Sequence, residues 1–181
     1  MTSLEKSEPV KLAAFNEADA DDLADLLAAC APIPSWRAAV LARRPYANTE
    51  ELTATATLLA TEWTDLEVDA ALEHHPRIGE KVQGQTREAE ASRREQGTLS
   101  ADEAAQAEWV SANEAYEERF DRIFLIRAAG RSSQEMLIEL KRRLQNSPEE
   151  EAVIRREQLA EIAVLRLRAS VTDAVSERIA P

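Results

Sequence analysis

One signature recurs along this chain and limits what it can fold into. A Ser, Thr or Asn followed three residues later by Glu opens an apolar-periodic run at Asn48–Glu51, Thr64–Glu67, Ser100–Glu103, Ser132–Glu135 and Ser147–Glu150. In that pairing the first side chain accepts from the third backbone N–H of a helix, and the Glu reaches back to the cap N–H. Apolar residues follow at helical spacing: Leu23, Leu26, Leu27 and Cys30; Leu52, Ala56, Leu59 and Trp63; Met136, Leu137, Leu140 and Leu144. With 4 Gly in 181 residues, and Ala, Leu, Glu and Arg dominant, the inventory favours helix throughout. Strand alternation, internal repeats and a linker between two cores are all absent. The expectation is an all-α, compact single-domain bundle of about seven to nine helices.

The boundaries follow from breakers and caps. A short helix around Trp36 and Val40 follows Pro32 and Pro34. The helix opened at Thr64 is expected to stop near His75, because Pro76 disfavours helical geometry in its predecessor. A loop over 76–84 and a short polar helix from Thr86 to Gln96, ended by Gly97, come next. The Ser100 cap is read as opening a long helix that stops at Gly130, with Trp109, Tyr116, Phe120, Ile123 and Phe124 facing inward. The last helix starts at Pro148 and runs toward Val171, with Ile162 and Leu165 on its buried stripe and Arg166 at the edge. The domain is expected over 15–175, between an N-terminal tail, 1–14, and a C-terminal tail, 176–181.

Charge excludes several functions. Lys and Arg number 22 against 34 Asp and Glu, a net charge of −12. Phosphate contacts need a concentrated basic surface, so nucleic acid is not an expected partner, and neither is an anionic membrane. No apolar run approaches the ~20 residues of a bilayer span. The opening Met1-Thr2-Ser3-Leu4-Glu5-Lys6 does not read as a signal peptide, and Arg178-Ile179-Ala180-Pro181 matches no retention tail. The single Cys30 cannot form an intrachain disulfide, which fits a reducing compartment. The expected location is the cytoplasm.

The chemistry-bearing residues are few. The two histidines, His74 and His75, are adjacent and on a helix would point about 100° apart, a poor pair for one metal. Glu-x-x-His, His-x-x-x-His, Cys-x-x-Cys, a Gly-rich phosphate loop and a Gly-x-Ser-x-Gly elbow are all missing. Catalysis would therefore use ordinary acid–base groups. Three places can supply them. His75, before Pro76 and Arg77-Ile78-Gly79, is either a helix-capping histidine or one whose pKa a helix end moves across neutrality. Ser92, Glu95 and Gln96, at i, i+3 and i+4, share one helix face that is either solvated or a polar clamp. Arg166, inside Leu165-Arg166-Leu167-Arg168, either snorkels, pairs with a carboxylate, or binds an oxyanion.

Taken in order, His75-Pro76-Arg77-Ile78-Gly79, Ser92-x-x-Glu95-Gln96, Phe120-x-x-x-Phe124-Leu125-Ile126 and Leu165-Arg166-Leu167 resemble the OHCU decarboxylase family. That family decarboxylates 2-oxo-4-hydroxy-4-carboxy-5-ureidoimidazoline (OHCU) to (S)-allantoin in urate breakdown. The likeness runs from Phe15 through Trp36 and Pro45-Tyr46 to the last helix. It implies that His75, Glu95 and Arg166 are catalytic. It also implies that Pro76, Ser92 and Gln96, together with the Phe124, Leu125, Ile126, Arg127 and Ala128 stretch, bind substrate. It further implies an all-α fold, no cofactor, no metal and a homodimer. Asp121-Arg122, Arg127 and Tyr46 depart from the family's usual residues without removing a catalytic group. The rival readings are a non-enzymatic helical protein-interaction module and another cofactor-free lyase or hydrolase acting on a related acid.

Overall fold

Helix starts follow the cap chemistry. In the computed structural model, which describes residues 8–73, 77–78 and 103–173, Asn48 accepts from the Glu51 N–H. Thr64, Ser132 and Ser147 each close a full capping box, with Glu67, Glu135 and Glu150. The Ser100 cap and the 86–96 helix lie outside the described residues. Among the described residues there are eight helices: α1 (Leu12–Glu17), α2 (Ala24–Cys30), α3 (Pro34–Ala42), α4 (Thr49–Ala60), α5 (Asp65–Leu72), α6 (Glu103–Phe120), α7 (Ser133–Arg143) and α8 (Pro148–Ser170). The fold is mostly helical, as expected. None of these helices is long and apolar enough to cross a membrane.

The helices bury two clusters. In the first, α2, α4 and α5 pack against α8, and Phe15, Leu27, Ile33, Trp36 and Leu52 meet Leu159, Ile162 and Leu167. Trp36 donates its indole N–H to Ala56 O at 3.0 Å and meets Trp63 edge-on. The second cluster joins α6 to α7 through Trp109, Tyr116, Met136 and Leu140, and takes in Ile78, Phe124 and Ile126.

Three features differ from the sequence reading. The helix expected to reach Gly130 ends at Phe120. Asp121 takes a left-handed conformation (φ 52°) and its N–H bonds Glu117 O at 2.8 Å, a C-terminal stop that an Asp can adopt. Gly130 (φ 78°) instead serves the turn before α7. On α8, Leu165 is 40% exposed, so the stripe runs through Leu159, Ile162, Ala163 and Leu167. Arg166, three residues after Ala163, falls on that stripe rather than at its edge. Finally, Val10–Lys11 (β1) and Val171–Thr172 (β2) form a parallel pair, Val10 opposite Val171, too short for any alternation to announce.

The two left-handed positions respond differently to substitution. A Cβ on Gly130 meets nothing within 4 Å among the described residues, so Gly130→Ala introduces chiefly backbone strain, about 1–2 kcal/mol by urea denaturation. Asp121→Gly is expected to be tolerated, whereas Asp121→Val, β-branched at the same φ, costs a similar amount. A Gly130→Ala variant as stable as the parent would mean that this turn relaxes out of the left-handed region.

Candidate active site

The chain between α6 and α7 leaves regular structure and runs through the interior. Phe124, Leu125, Ile126 and Ala128 are all buried, and they alternate as an extended chain does. Leu125 enters the first cluster, while Phe124, Ile126 and Ala128 enter the second. Among the described residues no backbone–backbone hydrogen bond holds residues 122–127. Side chains hold them instead. Arg143 Nη1 donates to Leu125 O at 2.8 Å, and the Arg127 N–H donates to Gln158 Oε1 at 2.9 Å. The N–H and C=O of Ile126 make no hydrogen bond among the described residues. Buried peptide groups are nearly always paired, so open ones in a buried strip are suited to a ligand.

Arg143 is itself fully buried and ion-paired. Its Nε and Nη2 reach Glu151 Oε1 at 2.9 and 2.5 Å, and its guanidinium lies over the Phe124 ring, 4.7 Å from the centroid. Tyr116 donates its hydroxyl to the same Oε1, and Asn146 Nδ2 donates to Oε2 at 2.8 Å. Burial, and then the neighbouring Glu151 carboxylate, raise the Tyr116 pKa, so the phenol stays protonated as a donor.

The two described residues that directly follow His75-Pro76 are anchored beside this strip. Arg77 forms a two-pronged ion pair with Glu117 on α6. Asn113 Nδ2 donates to Ile78 O at 3.1 Å, and the Ile78 side chain joins Phe124 and Ile126 in the second cluster. Thus the tail of the His-Pro motif and the 124–128 strip, 46 positions apart from Ile78 to Phe124, share one core.

A family model described as OHCU decarboxylase matches residues 16–168. The chain belongs to the OHCU decarboxylase family. This makes it a carboxy-lyase, and the interaction-module alternative gives way. Two solved structures share the fold. One is a crystal structure of OHCU decarboxylase in the presence of (S)-allantoin, with TM-score 0.65 and 24% identity, covering 83% of this chain and 96% of that one. The other is a crystal structure of (S)-allantoin synthase, with TM-score 0.66 and 18% identity, covering 90% of this chain and 54% of that longer one. No curated protein sequence gives a match.

The expected site residues of this decarboxylase fall into three groups. His75, Pro76, Ser92, Glu95 and Gln96 lie outside the described residues. Phe124 to Ala128 form the strip above. Arg166 is half-buried on α8, its Nη1 donating to Ala29 O on α2 at 3.2 Å, while the strip meets α8 earlier, at Gln158 and Glu161. Sequence reasoning missed the supports Arg143, Glu151 and Gln158. A signal existed for two of them: Arg143 sits three residues after Leu140 on the α7 stripe, and Glu151 four before the buried Arg155 on α8. Among the described residues no group of three or more His, Cys, Asp or Glu is placed to hold a metal, and both histidines lie outside them.

A polar cleft of about 570 Å³ opens between α5 and residues 121–123, with Glu73, Glu117, Asp69 and Arg155 in its wall. Asp69 bonds Arg155 at 2.7 Å and Arg122 at 2.9 Å, tying α5 to α8 and to the strip's approach. Glu73 stands two residues before His75. The Arg127 side chain faces elsewhere, into an apolar groove of about 590 Å³ between α4 and α8, where it pairs with Glu161 at 2.7 Å. Its part in the strip is therefore its peptide group. Arg127→Gln removes a half-exposed ion pair worth about 0–1 kcal/mol and should leave kcat/KM within about two-fold. A ten-fold loss in a steady-state assay would return the Arg127 side chain to the site.

Proposed function

We propose that this decarboxylase converts OHCU to (S)-allantoin and CO₂ without a metal or organic cofactor, as a cytoplasmic homodimer. The 124–128 strip carries the reading: among the described residues its Ile126 peptide groups stay open in a buried wall, and its core partner Ile78 follows His75-Pro76 by two residues. A ureido-imidazoline presents alternating N–H and C=O groups that a strip of that kind can pair.

The substrate explains why no external electron sink is required. Its reacting carbon bears both a carboxylate and a hydroxyl beside a ring C=N. As the bond to CO₂ breaks, the electron pair forms a C=C bond and the imine nitrogen takes the displaced pair. The enol so formed becomes the product carbonyl when its hydroxyl proton leaves, and the ureido-bearing carbon gains a proton on one face. The protein must orient the carboxylate, hold the hydroxyl and deliver that proton. In this reading Arg166 offers its planar pair of donors to an oxyanion, Glu95 holds the hydroxyl, and His75 exchanges the proton near neutral pH. Ser92, Gln96 and Pro76 complete the binding wall with Phe124 to Ala128.

The histidines give the sharpest test. His75→Asn should abolish most optically active product from enzymatically generated OHCU, with the helical circular dichroism intact, whereas His74→Asn should be tolerated. Equal losses in both variants would make the His-Pro unit structural. Glu95→Gln keeps shape but removes charge, so its loss should fall on kcat; an unchanged kcat would make Glu95 a solvated helix residue.

Arg166 has both a proposed chemical role and a visible structural bond to Ala29. Arg166→Lys keeps the charge but loses the fork, so kcat/KM should fall roughly ten- to a hundred-fold. The lost Ala29 bond, about 1 kcal/mol, should lower Tm by only about 2–4 °C. Arg168→Lys should show neither effect. Wild-type kinetics with a lowered Tm would leave Arg166 as a helix-packing residue.

A further inference from the structure

We propose that Arg143 is a positioning residue for the reaction: held by Glu151 and Tyr116, it sets the 124–128 strip at the depth and register at which its open peptide groups meet substrate. This rests on the reading of the strip as the substrate wall.

The argument starts from the cost of the arrangement. An ion pair this deeply buried loses the solvation of both charges, and an apolar pair of similar volume usually serves stability as well or better. The Arg143–Glu151 pair therefore calls for a use beyond stability. Its geometry supplies one. Two guanidinium nitrogens, Nε and Nη2, go to Glu151, while Nη1 goes to Leu125 O, a main-chain atom in the middle of the strip. Tyr116 and Asn146 occupy further acceptor positions of Glu151, which fixes the carboxylate that aims Arg143. The guanidinium plane also rests on Phe124, so the same group fixes a side chain and the following carbonyl.

The strip needs this support because among the described residues it has no ladder of its own. Its residues alternate between two cores, and a slip of one position would exchange every face. Between Phe124 and Arg127, the two side-chain bonds to the main chain among the described residues are those of Arg143 at Leu125 O and Gln158 at the Arg127 N–H. The residue between them is Ile126, whose N–H and C=O are open among the described residues. Two fixed points thus bracket the peptide groups available to a ligand.

Two variants separate positioning from stability. Tyr116→Phe removes one hydroxyl and loosens the Glu151 carboxylate. Arg143→Met/Glu151→Leu replaces the pair by apolar side chains but leaves the Tyr116 hydroxyl and Leu125 O without their partners, so Tm should fall by several degrees with the fold retained. In the double variant the amides of 124–128 should exchange faster with deuterium. Its KM for enzymatically generated OHCU should rise roughly ten- to a hundred-fold, with kcat changed less. Tyr116→Phe should shift KM in the same direction by a smaller factor. Faster exchange with an unchanged KM, in a background where His75→Asn is inactive, would overturn the positioning role and leave the catalytic reading standing. An unchanged KM together with an active His75→Asn variant would overturn both. If the double variant does not fold, Tyr116→Phe decides alone: parental KM and parental strip exchange would sink the proposal.

Discussion

The Glu151 carboxylate is the point on which the second half of the molecule depends. It accepts from Arg143, Tyr116 and Asn146, so α6, α7, the turn before α8 and α8 itself converge on two oxygen atoms. A buried carboxylate costs several kcal/mol in lost hydration and persists only when its lone pairs are occupied. Here they are occupied from three directions, and its partner Arg143 spends its remaining nitrogen on Leu125 O. Removing one member strands the others in a dry interior, so the network behaves as a unit.

A second ionic knot does related work at lower burial. Asp69 on α5 holds Arg155 of α8 and Arg122 after α6, linking the helix that leads toward His75 to the chain that leads into the strip. Arg155 is almost wholly buried and Asp69 is about one-third exposed, so the pair keeps part of its hydration. The two knots bracket the strip at its entrance and its centre. The family's chemistry is suited to that design, because a decarboxylation gains from a fixed orientation of the bond to be broken.

Much of this was legible in the chain, and the reason is local. Asn48, Thr64, Ser132 and Ser147 cap helices because the partners they need are three residues away. The stripes of Leu26, Leu27 and Cys30, or of Met136, Leu137 and Leu140, likewise need only their own helix. What escaped was set by distant partners. The run from Ile123 to Phe124 reads as helix by periodicity, yet Asp121 terminates α6 and Arg143, 18 positions beyond Leu125, captures the backbone. Leu165 reads as core but is exposed, while Arg166 takes the stripe because a carbonyl of α2 is there to receive it. The motif residues His75, Ser92 and Glu95 were found by resemblance, and the described residues bear on them only through Arg77 and Ile78 and their anchors.

The pairing of Val10 with Val171 has a consequence for how the chain acquires this fold. Asp173 adds to it, capping α4 through the Thr49 N–H at 2.8 Å, across 124 positions. The cluster around Phe15 and Trp36 is closed by Leu159, Ile162 and Leu167, which lie near the far end. During synthesis α1 to α4 therefore leave the ribosome well before the residues that complete their core. Such long-range closure slows folding relative to bundles built from neighbouring helices. Until those residues arrive, the apolar faces of α2 and α4 lack the α8 side chains that cover them in the finished fold.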